Sequence, residues 1–429
     1  MIETYQSETE DSLPRERRAF LVELRRAEES EKSCEAHLAE LKGLVKTLGL
    51  TIAGTTVAPL RAPSPALLLG SGKSEEIADS ADELDAGVII IDDDLTPRQQ
   101  RNWEQLSGCV VIDRQEVILE IFADRAATRE ASLQVALARM EYSLPRLTRA
   151  WTHLSRQRGG SRGTRGEGET QLESDRRIVL AKVAKLKKEL EGVRKQRATA
   201  RKQRRSVPLP TVALVGYTNA GKSSLLNALA GSTVNAEDKL FATLDPTTRR
   251  LELSGGRSVL LTDTVGFIRK LPHALVDAFR ATLEETLLAD LLIHVIDASD
   301  PEAAEHYRTT RQVLSEIGAE DTDQIIVLNK ADLPHDQLLL APLREADPQA
   351  LFISTKSGLH LDALKERIAA MLEKHTLGHR YRIPLDRYDL VALLHREGRI
   401  IKEEAIGQAV YVEAIVNEKI DSILKAFRE

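Results

Sequence analysis

Two stretches of the chain carry apolar residues at alternating spacings of four and three. Leu133, Leu137, Met140, Leu144, Leu147, Trp151 and Leu154 form one series; Val179, Val183, Leu186, Leu190 and Val193 form the other. Such spacing keeps one apolar side chain per turn on a single face, so each stretch predicts a helix with a seam suited to narrow-angle packing. Pro145 falls inside the first series and predicts a bend there. Between the seams runs Gly159-Gly-Ser-Arg-Gly-Thr-Arg-Gly-Glu-Gly168, too rich in glycine for a helix. Thr170-Gln-Leu-Glu173 then supplies a capping box that restarts one. The pattern predicts an antiparallel helical hairpin over 128–206 with a Gly/Arg loop at its tip. A helix of about 25 residues, at 1.5 Å per residue, holds such a loop on the order of 35 Å from the hairpin base. A homodimeric coiled coil would use the same seams.

Elsewhere the period is that of strands alternating with helices. Residues 18–23 and 51–57 read as strands around a polar helix, and 88–91 and 109–112 as short buried strands, the second after a helix over 97–106. Residues 1–127 therefore read as an N-terminal α/β domain. Val207-Pro-Leu-Pro210 reads as a linker, 207–374 as a second block of alternating strands and helices, and 375–429 as a small α+β domain of order β-α-β-β-α. In that last piece the strands are placed at 381–385, 399–404 and 410–415 and the helices at 390–396 and 418–427. Trp103 and Trp151 read as core, as does His294 within the apolar 291–296.

Composition narrows the class. The chain has 429 residues, and at roughly 150 per domain that means about three domains. Its two cysteines, Cys34 and Cys109, exclude a disulfide scaffold and a cysteine-rich metal site and fit a reducing compartment. No apolar run approaches the roughly 18 residues of a spanning helix. The opening MIETYQSETED is polar and acidic, unlike a secretory signal. A soluble cytoplasmic protein is expected. The net charge of −6 is unevenly placed: residues 176–205 hold 13 Lys/Arg against 2 Asp/Glu. A basic segment on an acidic protein suits a polyanionic partner, and equally a solvated helix face.

The chemistry is carried by four motifs. Thr211-Val-Ala-Leu-Val-Gly216 reads as a strand that leads into Tyr217-Thr218-Asn219-Ala220-Gly221-Lys222-Ser223-Ser224 and an apolar-periodic helix. This is GxxxxGKS in its strand–loop–helix context: backbone N–H groups and the helix N-terminus cradle phosphates, Lys222 neutralises β/γ charge and the Ser223 hydroxyl ligates Mg²⁺. Asp263-Thr264-Val265-Gly266 follows an apolar strand; Asp263 can hold Mg²⁺ through water and the Gly266 N–H can sense a γ-phosphate. Asn329-Lys330-Ala331-Asp332 follows another, and the Asp332 carboxylate can accept from guanine N1–H and the exocyclic amine, donors that adenine lacks there. Ser354, Thr355 and Lys356 occupy the place of a second guanine-contacting loop. Four motifs in this order select GTP over ATP. A second GKS, at Gly72-Lys73-Ser74, has Leu67 where a phosphate loop needs glycine. The apolar 66–69 before it reads as a strand, so a second nucleotide site stays open beside the simpler reading of a turn entering a helix.

GYTNAGKSS, FATLDPTTRR, DTVGFIRKLPH and NKAD, with GSGKSEEI, WTHLSRQRGGSRGTRGEGETQLESDRR and the terminal α+β piece, closely resemble the HflX family of translational GTPases over nearly the whole chain. The fifth motif reads STKSG where SAKxG is commoner. The fold class so implied is α/β: a P-loop GTPase domain, mostly parallel sheet flanked by helices, with an N-terminal α/β domain, a long antiparallel helical hairpin and a small C-terminal α+β domain. Within Phe241-Ala242-Thr243-Leu244-Asp245-Pro246-Thr247, the resemblance makes Thr243, not Thr247, the threonine that completes Mg²⁺ coordination. Lys222, Thr243 and Gly266 take the catalytic roles.

The family's members are cytoplasmic GTPases that bind the large ribosomal subunit and split stalled or idle ribosomes, particularly under stress. The resemblance implies the same here, with Arg158, Arg162 and Arg165 at the hairpin tip and the basic helix 176–205 against ribosomal RNA, where binding weakens with salt. Many GTPases place a water-orienting glutamine where this chain has Phe267, so hydrolysis is expected to be slow alone and stimulated by the partner. In related GTPases an asparagine at the Asn219 position helps hold K⁺; otherwise Asn219 shapes the loop. Nothing demands a dimer. The rival readings are a GTPase of ribosome assembly or RNA remodelling and a nucleotide-gated scaffold whose hairpin binds protein.

Overall fold

The computed structural model describes residues 15–149, 176–193, 195, 209–231, 240–253, 257–270, 285–373 and 376–429. Their contacts form two compact units. One runs up to residue 191 and includes 240, 241 and 270; the other takes the remainder.

In the first unit, β1 (Arg18–Arg25), α1 (Glu31–Thr47), β2 (Thr51–Pro59), α2 (Ser71–Glu83), β3 (Val88–Ile91), α3 (Pro97–Ser107), β4 (Val110–Asp113) and α4 (Arg114–Arg125) alternate along the chain. The strands pair in parallel in the order β2-β1-β3-β4. β3, Val-Ile-Ile-Ile, is buried along its whole length, as a strand covered on both faces must be. Helix starts follow the side chains. Ser30 accepts from the Ser33 N–H, Thr96 and Gln99 form a capping box with Pro97 at the first helical position, and Asp113 accepts from the Glu116 N–H. Trp103 is fully buried and its indole N–H donates to the Leu67 carbonyl at 2.7 Å.

Residues 66–69 are not a strand. Ser64 and Leu68 close a tight turn on each other, with Leu68 in the left-handed region (φ 66°). In α2 just beyond it, Lys73 pairs with Glu76 and the Ser74 hydroxyl donates to the Gly70 carbonyl at 3.1 Å. The second GKS therefore turns its polar atoms on its own helix.

α5 (Arg129–Ser143) and a helix over 176–193, here α6, bring the two predicted seams together. Leu137, Val183 and Leu190 are buried against one another with Leu133, Met140, Val179 and Leu186 around them, and Lys187 pairs with Glu141 at 2.8 Å. The predicted bend at Pro145 is instead an end: α5 stops at Ser143 and Leu144–Arg149 forms a 3₁₀ turn. A proline has no N–H to continue the ladder. Tyr142 and Arg146 pin this end to the sheet, the phenol donating to Asp113 at 3.0 Å and the guanidinium meeting Asp113 at 3.2 Å and the Leu95 carbonyl at 2.6 Å. Trp151, Leu154, the Gly/Arg loop with Arg158, Arg162 and Arg165, the capping box at 170–173 and the basic residues 196–205 lie outside the described residues.

The second unit holds β5 (Thr211–Gly216), α7 (Lys222–Ala230), β6 (Thr247–Glu252), β7 (Ser258–Asp263), β8 (Leu291–Asp297), α8 (Ala303–Ile317), β9 (Gln324–Asn329), α9 (Ala341–Ala346), β10 (Leu351–Phe352) and α10 (Leu361–Glu373). The sheet order is β10-β9-β8-β5-β7-β6, parallel except for the antiparallel edge pair β6–β7. β5 sits in the middle of this order, so the loop that leaves it opens at the carboxyl ends of the parallel strands, where α/β sheets bind ligands.

The C-terminal piece is β11 (Thr376–Pro384), α11 (Tyr388–Glu397), β12 (Arg399–Ile406), β13 (Ala409–Asn417) and α12 (Glu418–Leu424), an antiparallel sheet of order β11-β13-β12. Its order is the predicted one, with β11 beginning five residues earlier. Among the described residues no helix is long and apolar enough to cross a membrane.

Candidate active site

The loop from β5 to α7 depends on backbone that only glycine allows. Gly216 has φ 145°, and a Cβ there would lie 2.1 Å from the Val295 carbonyl oxygen. Gly221 has φ 95°, and a Cβ would lie 2.2 Å from Asn329 Nδ2. Asn219 adopts the left-handed region at φ 59°, which asparagine tolerates better than most residues. Lys222 opens α7 and is buried; its Nζ donates to the Gly216 and Tyr217 carbonyls at 3.1 and 2.7 Å. Burial brings its ammonium down to about 8, against an opposing pull from Asp263. A polyphosphate bound against Lys222 would keep that ammonium charged, so binding above this pKa would take up a proton. Nucleotide affinity is expected to be insensitive to this group below about pH 8 and to fall up to about tenfold per pH unit above it. A GDP titration across that range checks this; flat affinity would remove Lys222 from the contact.

Three oxygen-bearing side chains from separate elements converge beside Lys222. Ser223 Oγ lies 2.7 Å from Thr243 Oγ1 and donates to Asp263 Oδ2 at 2.7 Å. Asp263 Oδ1 is buried without a hydrogen-bond partner among the described residues. Burial raises the Asp263 carboxyl, with Lys222 and Ser223 pulling it back. Two hydroxyls and a carboxylate with an orphaned oxygen form a hard donor set that fits Mg²⁺. Thr247 does not join them: it begins β6, paired across the ladder with Asp263. Thr264 Oγ1 donates to the Leu214 carbonyl at 2.6 Å and anchors the turn. Gly266 lies against the loop, a Cβ there falling 2.7 Å from Thr218 Cα.

On the other side, Asn329 joins two loops. Its Nδ2 donates to the Ala220 carbonyl at 2.9 Å and its Oδ1 accepts from the Thr355 N–H at 3.2 Å. Lys330, in the left-handed region, pairs with Asp297 at 2.7 Å. Asp332 is exposed, and a hydrogen bond with Ser354 holds its carboxyl below the usual range. The Asp297 partnership was missed in the sequence; the signal is an acid at the end of β8, in register with Asn329. Phe241, in the predicted nucleotide segment, turns its ring elsewhere: it is buried in the first unit, edge-on to Phe122 at 4.6 Å. Leu244 is also buried. His294 is buried, pushed down to about 3, and neither ring nitrogen has a partner among the described residues. No cluster of His, Cys, Asp or Glu suited to a metal occurs among the described residues.

Three family models match the chain: GTP-binding GTPase N-terminal at residues 35–123, GTP-binding GTPase Middle Region at 125–204 and 50S ribosome-binding GTPase at 211–330. GTPase HflX of Akkermansia muciniphila is 48% identical over 406 residues, 92% of each chain. This chain belongs to the HflX family. GTPase HflX of Escherichia coli K12 is 44% identical over 345 residues, 79% of this chain and 81% of its own. Among solved structures, a GTP-binding protein from Sulfolobus solfataricus in complex with GDP is 26% identical, covering 83% of this chain and 98% of its own, at a TM-score of 0.44. As an HflX-family member with a P-loop GTPase domain, the protein is a GTP hydrolase.

Proposed function

We propose that this HflX-family GTPase docks on the large ribosomal subunit in its GTP form, promotes dissociation of stalled or idle 70S ribosomes, and leaves after hydrolysis. The observation that carries the reading is the hairpin arm. Its two seams are satisfied within the chain, which favours a monomer, and α6 keeps Arg176, Arg177, Lys182, Lys185 and Lys188 exposed. Such a stem suits a phosphate backbone and would carry Arg162 and Arg165 into an RNA cavity. The match at 211–330 to a 50S ribosome-binding GTPase model supports it.

In the nucleotide site, Gly216–Ser223 would wrap the phosphates, with Lys222 on the β/γ oxygens. Ser223 and Thr243 would hold Mg²⁺ directly and Asp263 through water. The ion's chemistry there is to neutralise charge developing on the phosphates. Asp332 would read guanine, with Asn329, Lys330 and the 354–356 loop shaping its pocket. Phe267 is 1% exposed and cannot orient water, so turnover is slow until a docked partner orders the site. Asn219, in its left-handed turn, would help place K⁺.

The test is co-sedimentation with 70S ribosomes under GDP, GTP and a non-hydrolysable GTP analogue, with an Arg162→Ala/Arg165→Ala variant alongside. The GTP forms are expected to move protein into the 50S peak while 70S falls, less so at high salt, and the variant to fail. Hydrolysis in matched KCl and NaCl should be faster in KCl; equal rates remove the K⁺ assignment. Protein that stays at the top of the gradient in every nucleotide state overturns the ribosome assignment, and capture of precursor particles alone points to assembly.

A further inference from the structure

Tyr217 is the second residue of the phosphate loop, and its side chain is taken up by contacts outside that loop. It is 5% exposed and its ring stacks on His306 of α8, centroids 3.7 Å apart and planes 11° from parallel. Its hydroxyl accepts the backbone N–H of Arg269 at 2.7 Å. Arg269 lies three residues beyond Gly266, in the segment that must respond to a γ-phosphate. The same segment is stitched to the loop at two further points. The Thr218 N–H donates to the Phe267 carbonyl at 2.7 Å, and the Phe267 N–H donates to the Gly216 carbonyl at 3.1 Å. Tyr217 and Phe267 thereby form a parallel bridge that prolongs the central sheet into the loop.

This stitching brings Gly266 against the loop and beside Lys222. A single Cβ on Gly266 would lie 2.7 Å from Thr218 Cα and 3.0 Å from Lys222 Nζ. Gly266 therefore packs directly on the loop and beside the ammonium that would meet a γ-phosphate, and the Thr218 N–H already has its acceptor in the Phe267 carbonyl. Thr243 already meets Ser223, so the contact to be released lies after Gly266 and not in the 240–246 segment. We propose that Tyr217 is a positioning residue: with His306 behind its ring and the Arg269 N–H on its hydroxyl, it latches the post-Gly266 segment onto the phosphate loop, and this latch must open to admit the γ-phosphate of GTP but not to admit GDP. The inference rests on the phosphate-loop assignment above. Its thermodynamic consequence is that the apparent GTP affinity is reduced by the fraction of molecules with the latch open, while GDP affinity is not.

The test compares binding of fluorescent GDP and of a fluorescent non-hydrolysable GTP analogue to the full chain and to two variants. Tyr217→Phe keeps the ring and its stack but removes the hydroxyl acceptor; His306→Ala removes the ring behind it. The hydrogen bond lost in Tyr217→Phe and the ring stack lost in His306→Ala are each expected to shift the open fraction about 3- to 10-fold, and so to raise the ratio of GTP-analogue affinity to GDP affinity by about that factor. A side chain that merely supports the fold would move both nucleotides together and lower the unfolding midpoint, which is measured in parallel. An unchanged ratio of the two affinities in folded Tyr217→Phe overturns the latch. Loss of binding to both nucleotides by the unmodified chain would instead overturn the phosphate-loop assignment itself.

Discussion

Replacing Asp332 by asparagine is expected to lower the affinity for GTP by about a thousandfold or more and to confer binding of xanthosine triphosphate. The argument is one of donors and acceptors. The hydrogen bond with Ser354 holds the Asp332 carboxyl below its ordinary range, so it is ionised at neutral pH and offers acceptors only. Guanine presents two donors on that edge, N1–H and the exocyclic amine. Asparagine offers one acceptor and one amide donor, so against guanine two donors face each other and one goes unpaired. Xanthine carries a carbonyl in place of the amine, and the asparagine amide then matches both positions. Titration of the two triphosphates against both proteins decides the matter. Equal loss of both would indicate a damaged loop, and retained GTP affinity would show that Asp332 does not read the base.

How much of this was legible in the sequence follows from where each constraint acts. The backbone of the loop between β5 and α7 was readable because its constraint is local: Gly216 and Gly221 need φ values that side chains resist, and that requirement is written in residue type. The seams were readable because apolar spacing encodes a helix face, and Leu137 does meet Val183 and Leu190. The same signal misled at Pro145, since a 3₁₀ turn also repeats every three residues and the apolar series runs on past the end of α5. It misled again at 66–69, where a four-residue apolar run is not a strand but a turn. That turn is fixed by contacts the local pattern does not contain, among them the Trp103 indole on the Leu67 carbonyl. β11 starts earlier than its apolar pattern because Thr376–Arg380 pair with β13 through backbone, whatever their side chains. Tyr217 was legible as a loop position and illegible as a contact, because His306 and Arg269 reach it from distant points in the chain.

The three-oxygen cluster yields the other large effect. Ser223→Ala is expected to reduce hydrolysis by about 10²- to 10⁴-fold, the several kcal/mol of charge stabilisation that a coordinated cation supplies. Ser223 Oγ touches both other members, so its removal leaves Thr243 without that contact and takes from Asp263, whose Oδ1 already has no partner among the described residues, the hydroxyl on its Oδ2. The Mg²⁺ concentration for half-maximal single-turnover hydrolysis should rise with it, and Ser223→Thr, which restores the hydroxyl, should recover most of the rate. The threonines separate the two placements of the remaining ligand. Thr243→Ala should reproduce the loss because Thr243 Oγ1 stands 2.7 Å from Ser223 Oγ. Thr247→Ala should cost little, because Thr247 is held in β6 by backbone pairing opposite Asp263. If Thr247→Ala abolishes hydrolysis while Thr243→Ala retains it, the coordination proposed from this cluster is wrong. The segment before β6 would then have to shift by four residues when nucleotide binds.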